Sequence, residues 1–390
     1  NQVKVLNSYI YVAAQAMLEE KDGWKPLVDY KSQVANFDPI RLQRVKELYE
    51  EGRAWSLGHF EEIYAVLGTK FDFSYFECMM GEFGSYVVNK ALLAGVFKKD
   101  DGAVIFEGEK YGLHTRVFIN SYGFPTYEAK ELGLAKKKFD DFGYDKSIVV
   151  TGNEIEEYFK VVLKAIDLVY PDLEGRIIHI PHGMMKLSSG KMSSRTGQVI
   201  SGMDLVEEVT ASVRERVQSS GIVPDDEVEG ISTKIAVGAI KYGILKNGIG
   251  KDITYDKEAS LEMTGNTGAY LQYSFVRASS VLEKASDSIA FDESFLEHIA
   301  DLSEDETELL RSLYVFPDIV DRATHEFAPN YVCTYLFELA QTFNRFYSSH
   351  PILEVEDNIQ RKFRLCLTKG VSLVLRNGLY LLGIETVPKM

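Results

Sequence analysis

Cysteine is scarce in this chain. Cys78, Cys333 and Cys366 are spread across 390 residues, too few and too scattered for a disulfide framework or a zinc cluster. Long apolar runs are missing as well: no stretch approaches the roughly 20 residues that a membrane-crossing helix needs. The opening Asn1-Gln2-Val3-Lys4 does not read as a secretory leader, and repeats and low-complexity tracts are absent. These absences lead to the expectation of a cytoplasmic protein with reduced thiols, no structural metal and no membrane partner. Positive charge is the other shortage. Lys and Arg number 43 against 58 acidic residues, a net charge of −15. That balance argues against DNA or indiscriminate nucleic-acid binding, whose affinity comes from neutralising phosphates. The shortage is uneven, however. From Glu283 to Glu308 there are ten acidic residues and one basic, whereas from Gln341 to Met390 seven basic residues face four acidic. A charge run is most often a solvated face, but the reversal permits an RNA surface near the C-terminus.

What is present suffices for real cores: 45% of residues are hydrophobic and 12% aromatic. The length points to two or three domains. Helical spacing runs from Val3 to Met17 and from Pro39 to Glu51, with Asp38 as an N-cap before a proline at the first helical position. From about Gly102 strands and helices alternate. Leu113 to Asn120, Ser147 to Thr151 and Arg176 to Met185 read as strands. Thr126 to Lys138 reads as a helix, and a second helix carries Ile155, Phe159, Val162 and Ile166 on one side. Such alternation predicts an α/β domain with a parallel sheet. Ligands on such sheets sit beyond the carboxyl ends of the strands, at Pro125-Tyr127, Gly152-Asn153 and Gly183 to Gly197. After Met203 the strand signal fades. Helices are expected at Asp204–Val217, Ile231–Lys246, Tyr270–Ala285, Phe291–Ala300, Glu304–Tyr314, Asp318–Phe327, Tyr331–Ser348 and Asn358–Leu382, an all-α bundle following the α/β part.

One junction carries chemistry. Ser189 to Gly197 holds Lys191 and Arg195 with Ser193, Ser194 and Thr196 between two glycines. By composition it is a polar turn. Its cations and hydroxyls at a strand end can also follow the charge of a reacting triphosphate. When a carboxylate attacks an α-phosphorus, negative charge grows on the transferring group and on the departing pyrophosphate, and cations brought onto it favour the transition state. The order Gly190-Lys191-Met192-Ser193-Ser194-Arg195 resembles the Lys-Met-Ser-Lys-Ser loop of class I aminoacyl-tRNA synthetases, in the Lys-Met-Ser-Thr-Arg form of arginyl-tRNA synthetases. Ser194 stands where the general motif has its second lysine; Arg195 can supply that charge.

Tyr127 and Glu131, four apart at the start of a helix, share one face. A phenol and a carboxylate together suit a planar guanidinium; the pair also fits an ordinary amphipathic helix. The tract Thr126 to Gly133 resembles the arginyl-tRNA synthetase Tyr-x-x-x-Asp that reads the guanidinium of arginine, with Glu for Asp. Gly152-Asn153-Glu154-Ile155-Glu156-Glu157-Tyr158 resembles a nucleotide-side segment of the same family. Ile155 replaces a glutamine there, and Tyr158 a histidine. His179 and His182 point to opposite faces of an extended strand, which speaks against a metal site. Pro181 to Met185 resembles the segment that lies against adenine. The resemblance therefore assigns Lys191, Ser193 and Arg195 to catalysis and Tyr127, Glu131 and Gln2 to arginine. To ATP it assigns Gly152, Glu154, Tyr158, His182, Gly183, Met184 and Met192.

Gly265 to Ala278 looks like the opening of the DALR-type anticodon-binding domain, and Phe343 to Tyr347 and Leu382 to Met390 look like its close. Tyr270, Gln272, Tyr273, Arg277 and Arg345 combine stacking faces with hydrogen-bonding and cationic groups suited to splayed bases, although aromatics three apart on a helix also suit a core. The first class I signature, His-Ile-Gly-His, is absent, and Asn1-Gln2-Val3 resembles a segment just downstream of it. The expectation is an N-terminally truncated arginyl-tRNA synthetase. It would have an incomplete Rossmann-like catalytic domain with a helical insertion at 1–203, a stem-contact region at 204–259 and an anticodon-binding bundle at 260–390. It would be a monomer using ATP with Mg²⁺, arginine and tRNA(Arg). A non-catalytic tRNA-binding paralogue is the alternative from another class; a cysteinyl enzyme is the alternative within it.

Overall fold

The computed structural model describes residues 39–187, 201–285 and 302–390. The helices expected at 3–17 and 291–300 and the cap at Asp38 lie outside them. The chain divides into two units, one ending at Phe71 and one running from Asp72 to Met390. The described part of the first contains α1 (Pro39–Leu67), longer than the expected 39–51. Gly52 and Gly58 cost only about 1 kcal/mol each relative to Ala, and no proline interrupts the run.

In the second unit, α2 (Glu77–Leu93) and α3 (Tyr127–Phe142) lie against each other. Two glycines remove the side chains that would hold them apart. A Cβ on Gly84 would sit 1.9 Å from the Ala129 carbonyl oxygen, and one on Gly133 would sit 2.6 Å from that of Met80. Between these helices run β1 (Lys98–Asp100), β2 (Ala103–Phe106) and β3 (Arg116–Ile119). They pair antiparallel, which corrects the expectation that 113–120 joins a parallel sheet. The Asp101-Gly102 turn, with φ of 43° and 79°, makes the β1–β2 hairpin, and the short 107–115 connection, with a 3-10 turn at Gly108–Tyr111 and a left-handed Gly112, returns β3 antiparallel to β2 without the helical crossover a parallel pair needs.

The expected strand–helix–strand follows. β4 (Ser147–Gly152) and β5 (Ile177–His182) are parallel, in register from Ser147 opposite Ile177 to Gly152 opposite His182, and α4 (Glu156–Val169) crosses between them. The strand expected over 176–185 is broken at Gly183-Met184. Beyond the break, β6 (Met185–Leu187) pairs in parallel with β7 (Ile253–Tyr255), a strand where none was expected. Phe106, Phe118, Leu132, Val161, Val162 and Ala165 fill the core of this half.

The rest is helical: α5 (Gly202–Ser220), α6 (Val228–Leu245), the short α7 (Lys257–Ser260), α8 (Gly268–Lys284), α9 (Glu304–Tyr314), α10 (Phe316–His325), α11 (Asn330–Ser349) and α12 (Asn358–Leu381). Side-chain caps set several starts. Ser201 with Asp204, and Ser303 with Glu306, form capping boxes; Thr267 caps α8 and Asp357 caps α12. Leu336, Leu339, Phe343, Phe346, Val371 and Leu375 form the bundle core. Within it lies a buried ion pair. Arg364 donates from Nε to Glu306 at 2.7 Å and from its terminal nitrogen to the Pro351 carbonyl at 2.7 Å, while Glu306 also accepts the Ser303 N–H at 2.9 Å.

Burial alone would raise the Glu306 carboxyl, but the Ser303 N–H and the Arg364 guanidinium outweigh it and hold it below its usual range. A depressed carboxyl stabilises the fold above the unfolded-state pKa of about 4.3, and the contribution is lost as pH falls through the folded value. Arg364→Ala strands a buried carboxylate and should cost about 3–5 kcal/mol at pH 7, read from urea unfolding. The gap to the wild-type chain should narrow as pH falls from about 5 towards 3.

Candidate functional site

The parallel register brings the ends of β4 and β5 side by side, so the turns after Gly152 and His182 are neighbours. Three loops lock together there. Asn153 Nδ2 donates to the Gly250 carbonyl at 3.1 Å. The Met184 N–H donates to Asp252 Oδ1 at 3.0 Å, and Lys186 Nζ donates to Asp252 Oδ2 at 2.9 Å. Lys186 and then the Met184 N–H hold the Asp252 carboxyl below its usual range. Gly183 lies so close to the next loop that a Cβ on it would fall 1.8 Å from the Lys251 carbonyl oxygen. His182 is exposed, its Nδ1–H donating to the Gly183 carbonyl at 3.0 Å. His179 instead stacks on Phe159 at 4.1 Å between ring centroids, and its Nε2 is 2.7 Å from Thr151 Oγ1. Glu154 and Ile155 are exposed on the turn that leads into α4.

A second cluster gathers where α3 begins. The Thr126 hydroxyl donates to the Val117 carbonyl at 2.7 Å, pinning the helix start to β3. The first turns then present Tyr127, Glu128 and Glu131, and Tyr158 arrives from α4. Tyr127 is 69% exposed, with Lys130 Nζ 4.8 Å from its ring centroid. Glu131 is half-buried. Burial pushes its carboxyl above the usual range and Lys138 offsets this only in part. Among the described residues Glu131 takes no ion pair. Tyr158 is raised by its own burial, then by the negative charges of Glu131 and Glu128, so its phenol stays protonated and can donate. Arg116, at the start of β3, lies 3.6 Å from the nearly buried Glu128 and 5.6 Å from the Tyr158 ring centroid. The structure thus groups Tyr127, Glu131 and Tyr158, and adds Arg116 and Glu128, which no sequence pattern marked.

In the helical bundle, a groove of about 850 Å³ is lined by Tyr273, Arg277, Tyr347, Lys284, Lys389 and other residues. Arg277 lies between two rings, 4.7 Å from that of Tyr273 and 5.0 Å from that of Tyr347. It also donates to Asn344 Oδ1 at 2.5 Å. Two residues expected to face RNA do not. Gln272 is fully buried, its Nε2 donating to the Glu385 carbonyl at 2.7 Å, so it ties α8 to the C-terminal tail. Tyr270 is buried too, its hydroxyl accepting from Asn344 Nδ2 at 2.9 Å. Arg345 is exposed but paired with Glu308 at 2.6 Å and Asp305 at 3.4 Å. Tyr347 could have been found from its place in the 343–347 stretch. Gln2, Lys191, Met192, Ser193 and Arg195 lie outside the described residues.

Gly183 offers a direct test of this geometry. Gly183→Ala should force the 182–184 turn away from Lys251 and cost about 1–3 kcal/mol, measured by chemical unfolding. Hydrogen exchange at the Met184 amide should quicken with it.

Comparison with known proteins then bears on the whole chain. A family model described as tRNA synthetases class I (R), catalytic domain, matches residues 56–256, and the DALR anticodon binding domain matches residues 271–390. An arginine–tRNA ligase of Bacteroides thetaiotaomicron is 33% identical over 377 residues, covering 95% of this chain and 63% of the relative. One of Flavobacterium psychrophilum is 31% identical over 386 residues, covering 98% and 61%. The chain therefore spans less than two thirds of the length of these relatives. The arginyl-tRNA synthetase structure of Plasmodium falciparum shares the fold with a TM-score of 0.79 at 19% identity, over 98% of this chain and 63% of that one. That of Thermus thermophilus does so at 0.72 and 24%, over 90% and 68%. With the catalytic-domain model covering more than half of its residues and a DALR domain behind it, the chain belongs to the class I (R) family of tRNA synthetases.

Proposed function

We propose that this chain takes part in arginine–tRNA ligation. The arginine carboxylate attacks the α-phosphorus of Mg²⁺-bound ATP, pyrophosphate leaves, and the arginyl group passes from the adenylate to a terminal ribose hydroxyl of tRNA(Arg). The observation that carries this reading is Glu131, a half-buried carboxylate that takes no ion pair among the described residues, grouped with Tyr127 and Tyr158. A desolvated carboxylate is costly unless a cation arrives, and a guanidinium binds it in two-pronged fashion. Gln2 is assigned to arginine as well. Gly152, Glu154, His182, Gly183 and Met184, along the two strand ends, are assigned to ATP with Met192, as is Tyr158 from α4. Lys191, Ser193 and Arg195 are assigned to the phosphates. Tyr273 and Arg277 in the bundle groove are assigned to tRNA, in a division of the chain at 203 and 259, and we read the protein as a cytoplasmic monomer.

A second reading, a tRNA-binding protein without catalysis, is favoured by the exposed Ile155 where the family's glutamine would stand. Arginine-dependent ATP–pyrophosphate exchange by the complete enzyme, measured with and without tRNA, separates the two, since this chain alone is expected to be nearly inactive: exchange supports ligation, and tRNA binding without any exchange supports the second.

Glu131→Gln should weaken arginine binding by about ten- to a hundredfold, the loss expected for a hydrogen bond to a charged group. Because the Glu131 carboxyl is raised, arginine affinity should fall with decreasing pH earlier than an exposed glutamate would dictate; calorimetry across pH 4–8 reads this. In the complete enzyme, Lys191→Ala should slow adenylate formation by roughly 10²–10³-fold with little change in tRNA affinity, as read by exchange kinetics and filter binding.

A further inference from the structure

Helices α8 and α11 meet through a polar knot beside the apolar core of the bundle. Tyr270, Ser274 and Arg277 share one face of α8, spaced four and three residues apart, and Asn344 of α11 reaches all three. Its Nδ2 donates to the Tyr270 hydroxyl and to the Ser274 hydroxyl, each at 2.9 Å. Its Oδ1 accepts from one terminal nitrogen of Arg277 at 2.5 Å, and the other terminal nitrogen donates to the Tyr273 hydroxyl at 2.6 Å. The guanidinium is therefore held from two sides in the groove wall, 4.7 Å from the Tyr273 ring and 5.0 Å from the Tyr347 ring. Both acceptors are neutral. Glu283 and Glu354 line the same groove beside Lys284 and Lys389, yet among the described residues the half-buried Arg277 takes no ion pair. The two bonds use two of the five N–H donors that an arginine carries. A half-buried charge held by neutral dipoles is oriented without being neutralised, and it stays costly until an anion arrives.

We propose that Asn344 is a positioning residue that orients Arg277 without cancelling its charge, so that the guanidinium takes a backbone phosphate of single-stranded RNA. This rests on the reading of the groove as a tRNA site. A guanidinium suits a phosphate because it binds in two-pronged fashion, and Tyr347, 40% exposed beside it, offers a ring for the adjoining base. Geometry alone does not require the amide. An aspartate at 344 would still accept from Arg277, and the Tyr270 hydroxyl could turn to donate to it. What the aspartate would remove is the free positive charge.

The test reads tRNA(Arg) binding to the 390-residue chain by filter binding across salt concentration, alongside thermal unfolding. Asn344→Asp should weaken binding at least about tenfold. It should also flatten the slope of log affinity against log salt by roughly 0.7–1, the loss of one phosphate contact, with the unfolding midpoint unchanged or raised. A merely structural role predicts wild-type binding by this variant, whose network is intact. Asn344→Ala should lower the midpoint but keep the slope, because Arg277 stays charged. Arg277→Lys should keep the slope as well, and Arg277→Gln should lose it. A folded Asn344→Asp variant with wild-type affinity and slope would overturn the proposal. An Arg277→Gln variant with the wild-type slope would do the same, and this second arm decides the matter if Asn344→Asp does not fold. The two levels separate cleanly. A wild-type chain that binds no tRNA, or one that binds it equally well after Arg277→Gln and Tyr347→Ala, would remove the groove reading and this proposal with it. Binding that needs Arg277 but ignores Asn344→Asp would remove the role of Asn344 alone.

Discussion

The parallel pairing of β4 with β5 is the constraint from which the rest of the α/β half follows. Parallel neighbours cannot be joined by a tight turn and need a crossover. Here α4 supplies it, burying Phe159, Val162 and Ile166. Because the two strands stop level with each other at Gly152 and His182, their exits are forced together, and α4 brings Tyr158 down beside the start of α3. The loops that meet at Asp252 extend this junction to β7, so the short β6–β7 pair inherits its placement from the longer one.

Among the described residues of the helical half, several charges are spent internally. The acidic run ending at Glu308 and the basic residues after Gln341 meet in part: Glu306 is committed to Arg364 inside the core, and Asp305 and Glu308 hold Arg345. What remains on the groove is Arg277, flattened between two tyrosine rings, with Lys284 and Lys389 along the rim. The guanidinium N–H groups also go to Asn344 and Tyr273, so Arg277 gives the groove positive charge while the tyrosine rings give it aromatic surface.

Much of this was legible in the residues. Glu304–Tyr314 was expected and found with the same bounds, and the helix between β4 and β5 carried Phe159, Val162 and Ile166 at 3.6-residue spacing. The antiparallel meander was missed because its strands are three and four residues long and its one local signal, Asp101-Gly102, was outweighed by the alternation that follows. β7 is three residues, too short for any period to register. Within the sites, Tyr127 and Glu131 could be marked because their chemistry and spacing are local, and Tyr158 only through the family resemblance. Arg116 and Asp252 could not: each matters through a partner 12 or 68 residues away, which only the folded topology supplies. Gln272 failed in the opposite direction, since nothing in a polar side chain announces that the tail at Glu385 will cover it.

The meeting of α2 and α3 at Gly84 and Gly133 has a wider reach than packing. The helix that bears Tyr127, Glu128 and Glu131 rests on its neighbour backbone to backbone, with no cushioning atoms at the crossing. A single added methyl there would lever α3 outward like a wedge under a beam, tilting the whole acidic rim without altering any residue in it. The placement of that rim is thus calibrated at a point outside the cluster itself.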